Sequence, residues 1–216
     1  MKRTVKQIVF EATNKLRSIT DTPSLDASVI FTKVTNLSKV QQITQDSLII
    51  DKETENKFNE LINRRLNYEP VAYITEEKEF YGRPFKVTKD TLIPRADTET
   101  LIEEVIKYSK TLDYNPEILD LCTGSGCIGI TLANEITPKS ITLSDISKEA
   151  LEVAKINAKK LSKAKINIIE SNLLEKCKKY DIIVSNPPYS VKQWCEEVSN
   201  EVKKEPILAL EGFGND

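Results

Sequence analysis

The sequence predicts an α/β domain with a parallel sheet, preceded by a small helical domain. Residues 116–185 alternate apolar strand-like runs with amphipathic helix-like segments, the pattern of a parallel sheet covered by helices. A glycine-rich turn follows the first of these strands and opens the first helix. Residues 1–70 instead show the apolar spacing of helices, and the first glycine of the chain is Gly82. The length of 216 residues allows one full domain and a small one.

The low net charge and the absence of histidine limit the functions available to this chain. The formal net charge of −2 provides no general positive field for nucleic acid, and the basic pairs at 64–65 and 203–204 are typical of solvated faces. No apolar run is long enough to span a membrane, and no signal-type core follows Met1. We therefore expect a cytoplasmic protein without a membrane partner or direct nucleic-acid binding. The absence of histidine removes the commonest general base.

The cysteines do not indicate a metal site. Cys122, Cys127, Cys177 and Cys195 form no Cys-x-x-Cys pair and have no histidine to help them bind zinc. We expect reduced thiols that serve mainly in packing, and no bound metal.

The chain divides into three predicted segments. Residues 1–72 form a helical domain that binds a substrate or partner, and residues 73–115 form a connecting hairpin and one helix capped by Asp97 or Thr98. Residues 116–216 form the α/β domain. The other predicted helices are 5–16, 25–37, 51–67, 126–133 and 148–161, and the predicted sheet strands are 118–122, 141–144, 166–169 and 181–185.

The first candidate site is the glycine-rich turn. Residues 120–126 read Asp-Leu-Cys-Thr-Gly-Ser-Gly, and glycines there let the backbone approach a ligand closely. Asp145 ends the next strand, about 20 residues after Gly124, where a carboxylate can accept both hydroxyls of an adenosine ribose. Loop and acid together indicate a nucleoside ligand rather than an ordinary strand-turn-helix corner. Because the loop contains no lysine and begins at acidic Asp120, it suits a cationic sulfonium compound with an amino-acid tail better than a pyrophosphate.

The second candidate site follows the last predicted strand. Residues 182–189 read Ile-Ile-Val-Ser-Asn-Pro-Pro-Tyr, a buried strand that two prolines force out of the sheet at Asn186. Open α/β sheets bind their ligands at this carboxyl end. The Asn186 side-chain carbonyl and the Pro187 backbone carbonyl can accept both hydrogens of one NH₂ group, and Tyr189 offers a flat face for a planar substrate. The less favoured alternative is a proline-terminated strand with a structural asparagine.

These motifs resemble the HemK/PrmC family of peptide-chain release-factor N5-glutamine methyltransferases. The resemblance extends from about Arg64 to the C-terminus, and it implies a Rossmann-like S-adenosylmethionine-dependent methyltransferase domain preceded by a helical domain. Asn-Pro-Pro-Tyr is shared with DNA, RNA and protein amino-methyltransferases, whereas Pro-Arg-x-Asp-Thr-Glu at 94–99 is more specific. The other matching segments are 69–74, 79–82, 92–93 and 205–210, together with both candidate sites.

The resemblance also implies roles for individual residues. Three departures from the usual family pattern are Cys122 in place of a glycine, Asn172 in place of an acidic residue that contacts adenine, and a missing glycine after Ile74. The implied cofactor-binding residues are Cys122, Thr123, Gly124, Ser125, Gly126, Asp145, Leu173 and Asn186. The implied substrate-binding residues are Asn186, Pro187, Pro188 and Tyr189, of which Asn186, Pro187 and Tyr189 are catalytic.

The implied reaction is methyl transfer from S-adenosyl-L-methionine to the glutamine side-chain amide in the Gly-Gly-Gln motif of peptide chain release factors. An amide nitrogen needs orientation rather than deprotonation before it attacks, which fits a site without histidine. One alternative is methylation of an exocyclic amine on adenine or cytosine in DNA or RNA. Another is an inactive chain that only binds partners, because no strand is predicted after 181–185 and the family sheet has seven. On this basis we expect the domain to be incomplete at its C-terminal end.

Overall fold

The computed structural model describes residues 2–191 and 197–212. Contacts divide the chain into two units, Met1–Thr75 with Asn200–Lys204 and Glu76–Ser199 with Glu205–Asp216. The predicted fold class, a parallel α/β sheet domain with a helical N-terminal part, is confirmed. Within the described ranges, no helix is both long enough and apolar enough to cross a membrane.

The first unit is a helical bundle around one apolar core. The predicted helices are present as α1 (Val5–Leu16), α2 (Pro23–Thr35) and α4 (Lys52–Leu66). Their apolar faces meet around Phe31 and Phe58, whose rings lie edge to face with centroids 5.2 Å apart. Each helix therefore draws its stability mainly from this shared core rather than from its intrinsic propensity.

Several short elements of the first unit correct the sequence-based prediction. Residues 73–75 belong to a short helix rather than to a strand, because α5 (Val71–Thr75) follows Pro70. An unpredicted helix, α3, begins after Ser38, whose side chain accepts a hydrogen bond from the Gln41 amide. These elements are too short to show a periodic pattern. The unpredicted ranges are α3 (Lys39–Thr44) and the paired strands β1 (Arg3–Thr4) and β2 (Ile49–Ile50).

Arg65 is buried, which corrects the expectation of a solvated basic pair at 64–65. Its side chain is only 3% exposed, and its Nε donates to Asp26 Oδ2 at 2.8 Å. Its Nη2 donates to Glu201 Oε2 at 2.9 Å. Two carboxylates thus compensate a guanidinium whose burial alone would be strongly unfavourable.

The second unit contains a parallel sheet, in which the described residues form four strands. The strands are β5 (Glu117–Leu121), β6 (Ser140–Asp145), β7 (Ile166–Glu170) and β8 (Ile182–Ser185). Their spatial order is β7-β6-β5-β8, so β6 and β7 follow on one side of β5 and β8 pairs with its other side. The crevice between β5 and β8 is therefore the topological switch point, where ligands of such sheets bind.

Helices and a hairpin cover this sheet. In the hairpin, Gly82 has a φ of 71° in the turn, and Phe80 and Phe85 point into the core shared with the sheet. Asp97 precedes α6 as predicted, but its side chain makes no capping hydrogen bond. The elements are β3 (Glu77–Phe80), β4 (Arg83–Lys86), α6 (Thr98–Ser109), α7 (Cys127–Glu135) and α8 (Lys148–Leu161). A short helix, α9 (Ile207–Leu210), follows near the end of the chain.

The cysteine prediction is tested at three of its four positions. Cys122, Cys127 and Cys177 are free thiols, and Cys127 is buried in the core. Cys195 lies outside the described residues, as do the last four residues of the chain.

Candidate cofactor and substrate site

A cavity of about 430 Å³ lies at the carboxyl edge of the sheet. Leu121 pairs with Ser144 on one side and with Ser185 on the other, so the loops after β5, β6 and β8 leave the sheet at the same level. The volume falls within the roughly 300–1,000 Å³ of small-molecule sites. Predicted site residues that line the cavity are Cys122, Thr123, Gly124, Ser125, Asp145, Leu173, Asn186, Pro187 and Pro188.

The glycine-rich loop places three residues in the left-handed conformation, with φ of 58° at Cys122, 53° at Gly124 and 82° at Gly126. A side chain in this conformation costs about 1–2 kcal/mol, which explains why the family pattern favours glycine where this chain has Cys122. At Gly124 an added Cβ would meet nothing within 4 Å. At Gly126 it would lie 2.7 Å from the Ile130 side chain. Gly126 is not among the residues lining the cavity, so the structure places it in the packing beneath the loop.

Asp120 lies beneath the loop rather than in the cavity. It is completely buried, and its Oδ2 accepts hydrogen bonds from Thr123 Oγ1 at 2.6 Å and from the Gly129 amide at 2.8 Å. Burial raises the pKa of Asp120 to about 7, and the charge of Asp145 adds to this rise, whereas the two hydrogen bonds oppose it. Asp120 therefore anchors the loop and the start of α7. It is not among the residues that line the cavity, so the negative charge of the cavity comes from other carboxylates.

Asp145 supplies a carboxylate to the cavity wall. Its Oδ2 accepts from the Gly124 amide at 2.9 Å and its Oδ1 from the Ser147 amide at 3.0 Å. Each oxygen retains a lone pair for a ligand hydroxyl. The charged residues that line the described part of the cavity are Asp90, Arg95, Asp145 and Glu149, an acidic balance that suits a cationic ligand.

Asn186 directly follows β8 and lines the same cavity. The end of the strand is fixed because Ser185 Oγ donates to the Leu121 carbonyl at 2.7 Å. Asn186 Nδ2 donates to Thr98 Oγ1 at 3.5 Å, which directs the NH₂ group of Asn186 toward α6. The side-chain carbonyl of Asn186 can then serve as an acceptor for a substrate, beside the lining residue Pro187.

Leu173 and Tyr189, two further predicted site residues, differ in whether they line the cavity. Leu173 lines the cavity, with a φ of 47° and about half of its surface exposed. Tyr189 is 79% exposed and is not among the residues that line the cavity. Its stacking role therefore stays a prediction.

Two segments to which the motif reasoning gave no role also line the cavity. Glu205, whose side chain is 1% exposed, accepts from the Ile93 amide at 3.0 Å and pairs with Arg95. Glu99 Oε1 accepts from the Tyr81 amide at 2.8 Å. Segments 92–99 and 205–210 stand out in the sequence only through the family resemblance, because the bonds that join them span about a hundred positions.

Comparisons with known proteins identify the family of this chain. The PrmC N-terminal domain family matches residues 7–75, and the methyltransferase small domain family matches residues 97–207. The release factor glutamine methyltransferase of Fusobacterium nucleatum is 44% identical to the chain over 199 residues. Those of Leptospira interrogans and Clostridium acetobutylicum are 40% and 35% identical over 192 and 215 residues. The chain belongs to the release factor glutamine methyltransferase family.

Family membership confirms the resemblance read from the sequence and assigns the second unit to the Rossmann-like methyltransferase fold. The three alignments cover 89%, 86% and 96% of this chain. The chain spans 56% of the length of the Fusobacterium relative, 67% of the Leptospira relative and 75% of the Clostridium relative.

Proposed function

We propose that this protein transfers a methyl group from S-adenosyl-L-methionine to the glutamine side-chain amide in the Gly-Gly-Gln motif of peptide chain release factors. The observation that carries the proposal is that one cavity at the switch point is lined by Asp145, by the glycine-rich loop, and by Asn186 with Pro187. The groups proposed to bind the nucleoside and the amide thereby share one cavity. The names of the relatives, release factor glutamine methyltransferases, support the same reaction.

The chemistry of the cavity fits the proposed cofactor, which supplies an electrophilic methyl group on a sulfonium when bound. Asp145 would accept the ribose hydroxyls, and its fixed carboxylate needs no rearrangement to do so. The open space around Gly124 leaves room for a ligand against the backbone. Asp90 and Glu149 add negative charge for a cationic ligand, and Leu173 would contact the cofactor.

The proposed role of Asn186 and Pro187 is to orient the substrate amide. The lone pair of an amide nitrogen is delocalised, so the nitrogen attacks only when it is held in line with the methyl group and its leaving sulfur. The Asn186 side-chain carbonyl and the Pro187 backbone carbonyl would accept the two N–H groups. As the new N–C bond forms, positive charge develops on nitrogen and both hydrogen bonds strengthen, which stabilises the transition state. The N–H proton that is lost afterwards passes to solvent.

The helical first unit is proposed to bind the release factor. The match of residues 7–75 to the PrmC N-terminal domain family supports this assignment. Release factors act on ribosomes, so we propose that the reaction takes place in the cytoplasm.

The decisive experiment compares the chain with its Asn186→Ala variant, using radiolabelled cofactor and a purified release factor. We expect the variant to lose at least ~10²-fold in methylation rate, because it lacks one of the two acceptors, and to lose far less in cofactor affinity. A release factor with the motif glutamine replaced by alanine controls for other sites. Near-normal turnover by the variant would reduce Asn186 to a structural role. In a parallel assay with DNA or RNA in place of the release factor, label on the nucleic acid would favour exocyclic-amine methylation.

A further inference from the structure

Asn157 is a polar residue of α8 that is completely buried. Its Oδ1 accepts from the Lys86 amide at 2.8 Å, and its Nδ2 donates to the carbonyls of Lys86 at 2.9 Å and of Ser125 at 2.8 Å. These partners determine the orientation of the Asn157 amide, because a backbone N–H only donates and a backbone carbonyl only accepts. The residue thus binds β4 of the hairpin and the glycine-rich loop at the same time.

The loop needs such support because of its backbone conformation. Cys122 is a non-glycine residue in the left-handed region, a conformation that persists only where the surrounding structure holds it. The amides of Thr123 and Gly124 are held by hydrogen bonds to β6, from which Ser144 and Asp145 accept. The Ser125 carbonyl, by contrast, is held by Asn157 from α8.

We infer that Asn157 is a positioning residue of the cofactor site, which sets the course of the loop through the Ser125 backbone. Asn157 is not among the residues lining the cavity, whereas Ser125 is, so its effect on a ligand is indirect. Through Lys86 it also makes the hairpin a support for the loop. This inference rests on the proposed function, because the ligand of the loop is the proposed cofactor.

The chain contains a matched control for the loss of a helical asparagine. Asn134 on α7 also donates from its Nδ2 to two backbone carbonyls, those of Ile130 at 2.9 Å and of Leu161 at 3.0 Å. Neither of these bonds reaches the loop or a residue that lines the cavity. Asn134 is exposed and Asn157 is completely buried, so Asn134→Ala controls only for the loss of side-chain bonds to backbone carbonyls. Urea unfolding of both variants measures the additional stability lost at the buried position, and an effect on the loop beyond that loss appears only at Asn157.

The experiment compares Asn157→Ala and Asn134→Ala with the unchanged protein at a temperature where circular dichroism reports all three as folded. Hydrogen exchange follows the amides of residues 120–129, and calorimetry follows the binding of S-adenosylhomocysteine. For Asn157→Ala we expect loop exchange at least ~10-fold faster and binding at least ~10-fold weaker, since the Ser125 carbonyl loses its partner. Asn134→Ala should stay within about twofold in both measurements, because its lost bonds lie outside the loop.

A second variant covers the case in which the alanine variant does not fold. Asn157→Asp retains the size and the acceptor for the Lys86 amide but removes at least one of the two donors, so we expect the same direction of change. Unchanged loop exchange and binding in the Asn157 variants, or an equal change in Asn134→Ala, would overturn the inference. If the unchanged protein does not bind S-adenosylhomocysteine, the proposed cofactor is wrong, and loop exchange alone decides the role of Asn157.

Discussion

Gly126 offers a test in which backbone strain and packing can be separated. It precedes α7 with a φ of 82°, and an added Cβ would lie 2.7 Å from Ile130 Cδ1. The same Cβ would lie 3.3 Å from Ala154 and from Leu143. Ile130 and Leu143 are themselves completely buried, so neither can move aside without displacing other core residues. Gly126→Ala therefore adds a steric conflict to an unfavourable backbone conformation.

Gly124 separates backbone strain from steric conflict, because only the backbone strain applies there. Its φ of 53° is also left-handed, but an added Cβ meets nothing within 4 Å. The backbone contribution is about 1–2 kcal/mol for either substitution. Overpacking adds about 1–3 kcal/mol at Gly126 alone. We expect Gly124→Ala to lower the free energy of unfolding by about 1–2 kcal/mol and Gly126→Ala by about 2–5 kcal/mol.

Urea unfolding followed by circular dichroism measures this difference. Both variants should unfold with the slope of the unchanged protein, so that a shift in midpoint reports stability alone. If Gly126→Ala loses no more stability than Gly124→Ala, the packing assigned to Gly126 is wrong. If neither variant loses stability, the left-handed conformation of the loop is wrong.

Three further predictions concern charged residues. Asp145→Ala should weaken cofactor binding by about 1–3 kcal/mol in calorimetry through lost ribose hydrogen bonds, and an unchanged affinity would contradict its assignment. Because the pKa of Asp120 is raised to about 7 in the folded protein, the folded state binds the Asp120 proton more tightly than the unfolded chain does. The stability that this proton binding contributes is fully present below pH ~4 and is lost as the pH rises through about 7. Between pH 5 and 8, the free energy of unfolding measured in urea should fall by on the order of 2–3 kcal/mol, and Asp120→Asn should abolish this fall. The same pH profile in the unchanged protein and in Asp120→Asn would refute the prediction. Arg65→Met should lower the free energy of unfolding by about 3–5 kcal/mol in the same assay, because it leaves Asp26 buried without its cation. Adding Asp26→Asn to this variant should recover part of the lost stability, and a double variant that recovers none would contradict this explanation.

Local patterns accounted for the elements with enough residues to display them. The helices α1, α2 and α4 and the four strands of the sheet follow from apolar spacing, which depends only on residues near in sequence. Helices α3 and α5, of six and five residues, complete too few turns for such spacing to appear. Their positions depend instead on single capping or breaking residues, Ser38 and Pro70.

The sequence by itself determined where the candidate site lies. Asp145 and Asn186 end strands of a parallel sheet, and the carboxyl ends of such strands necessarily meet at one edge. The glycine-rich turn likewise had to lie there, because it follows β5 directly. These inferences needed only the order of the elements and the direction of the strands.

The tertiary structure alone decided which distant residues are bonded to one another. Asn157 reaches Ser125 across 32 positions, and Glu205 reaches Ile93 across 112. Arg65 is buried only because carboxylates come to it from 39 and 136 positions away. A hydrogen bond or an ion pair forms over about 3 Å, and which distant residues come that close depends on how helices pack on a sheet rather than on any pattern within a segment.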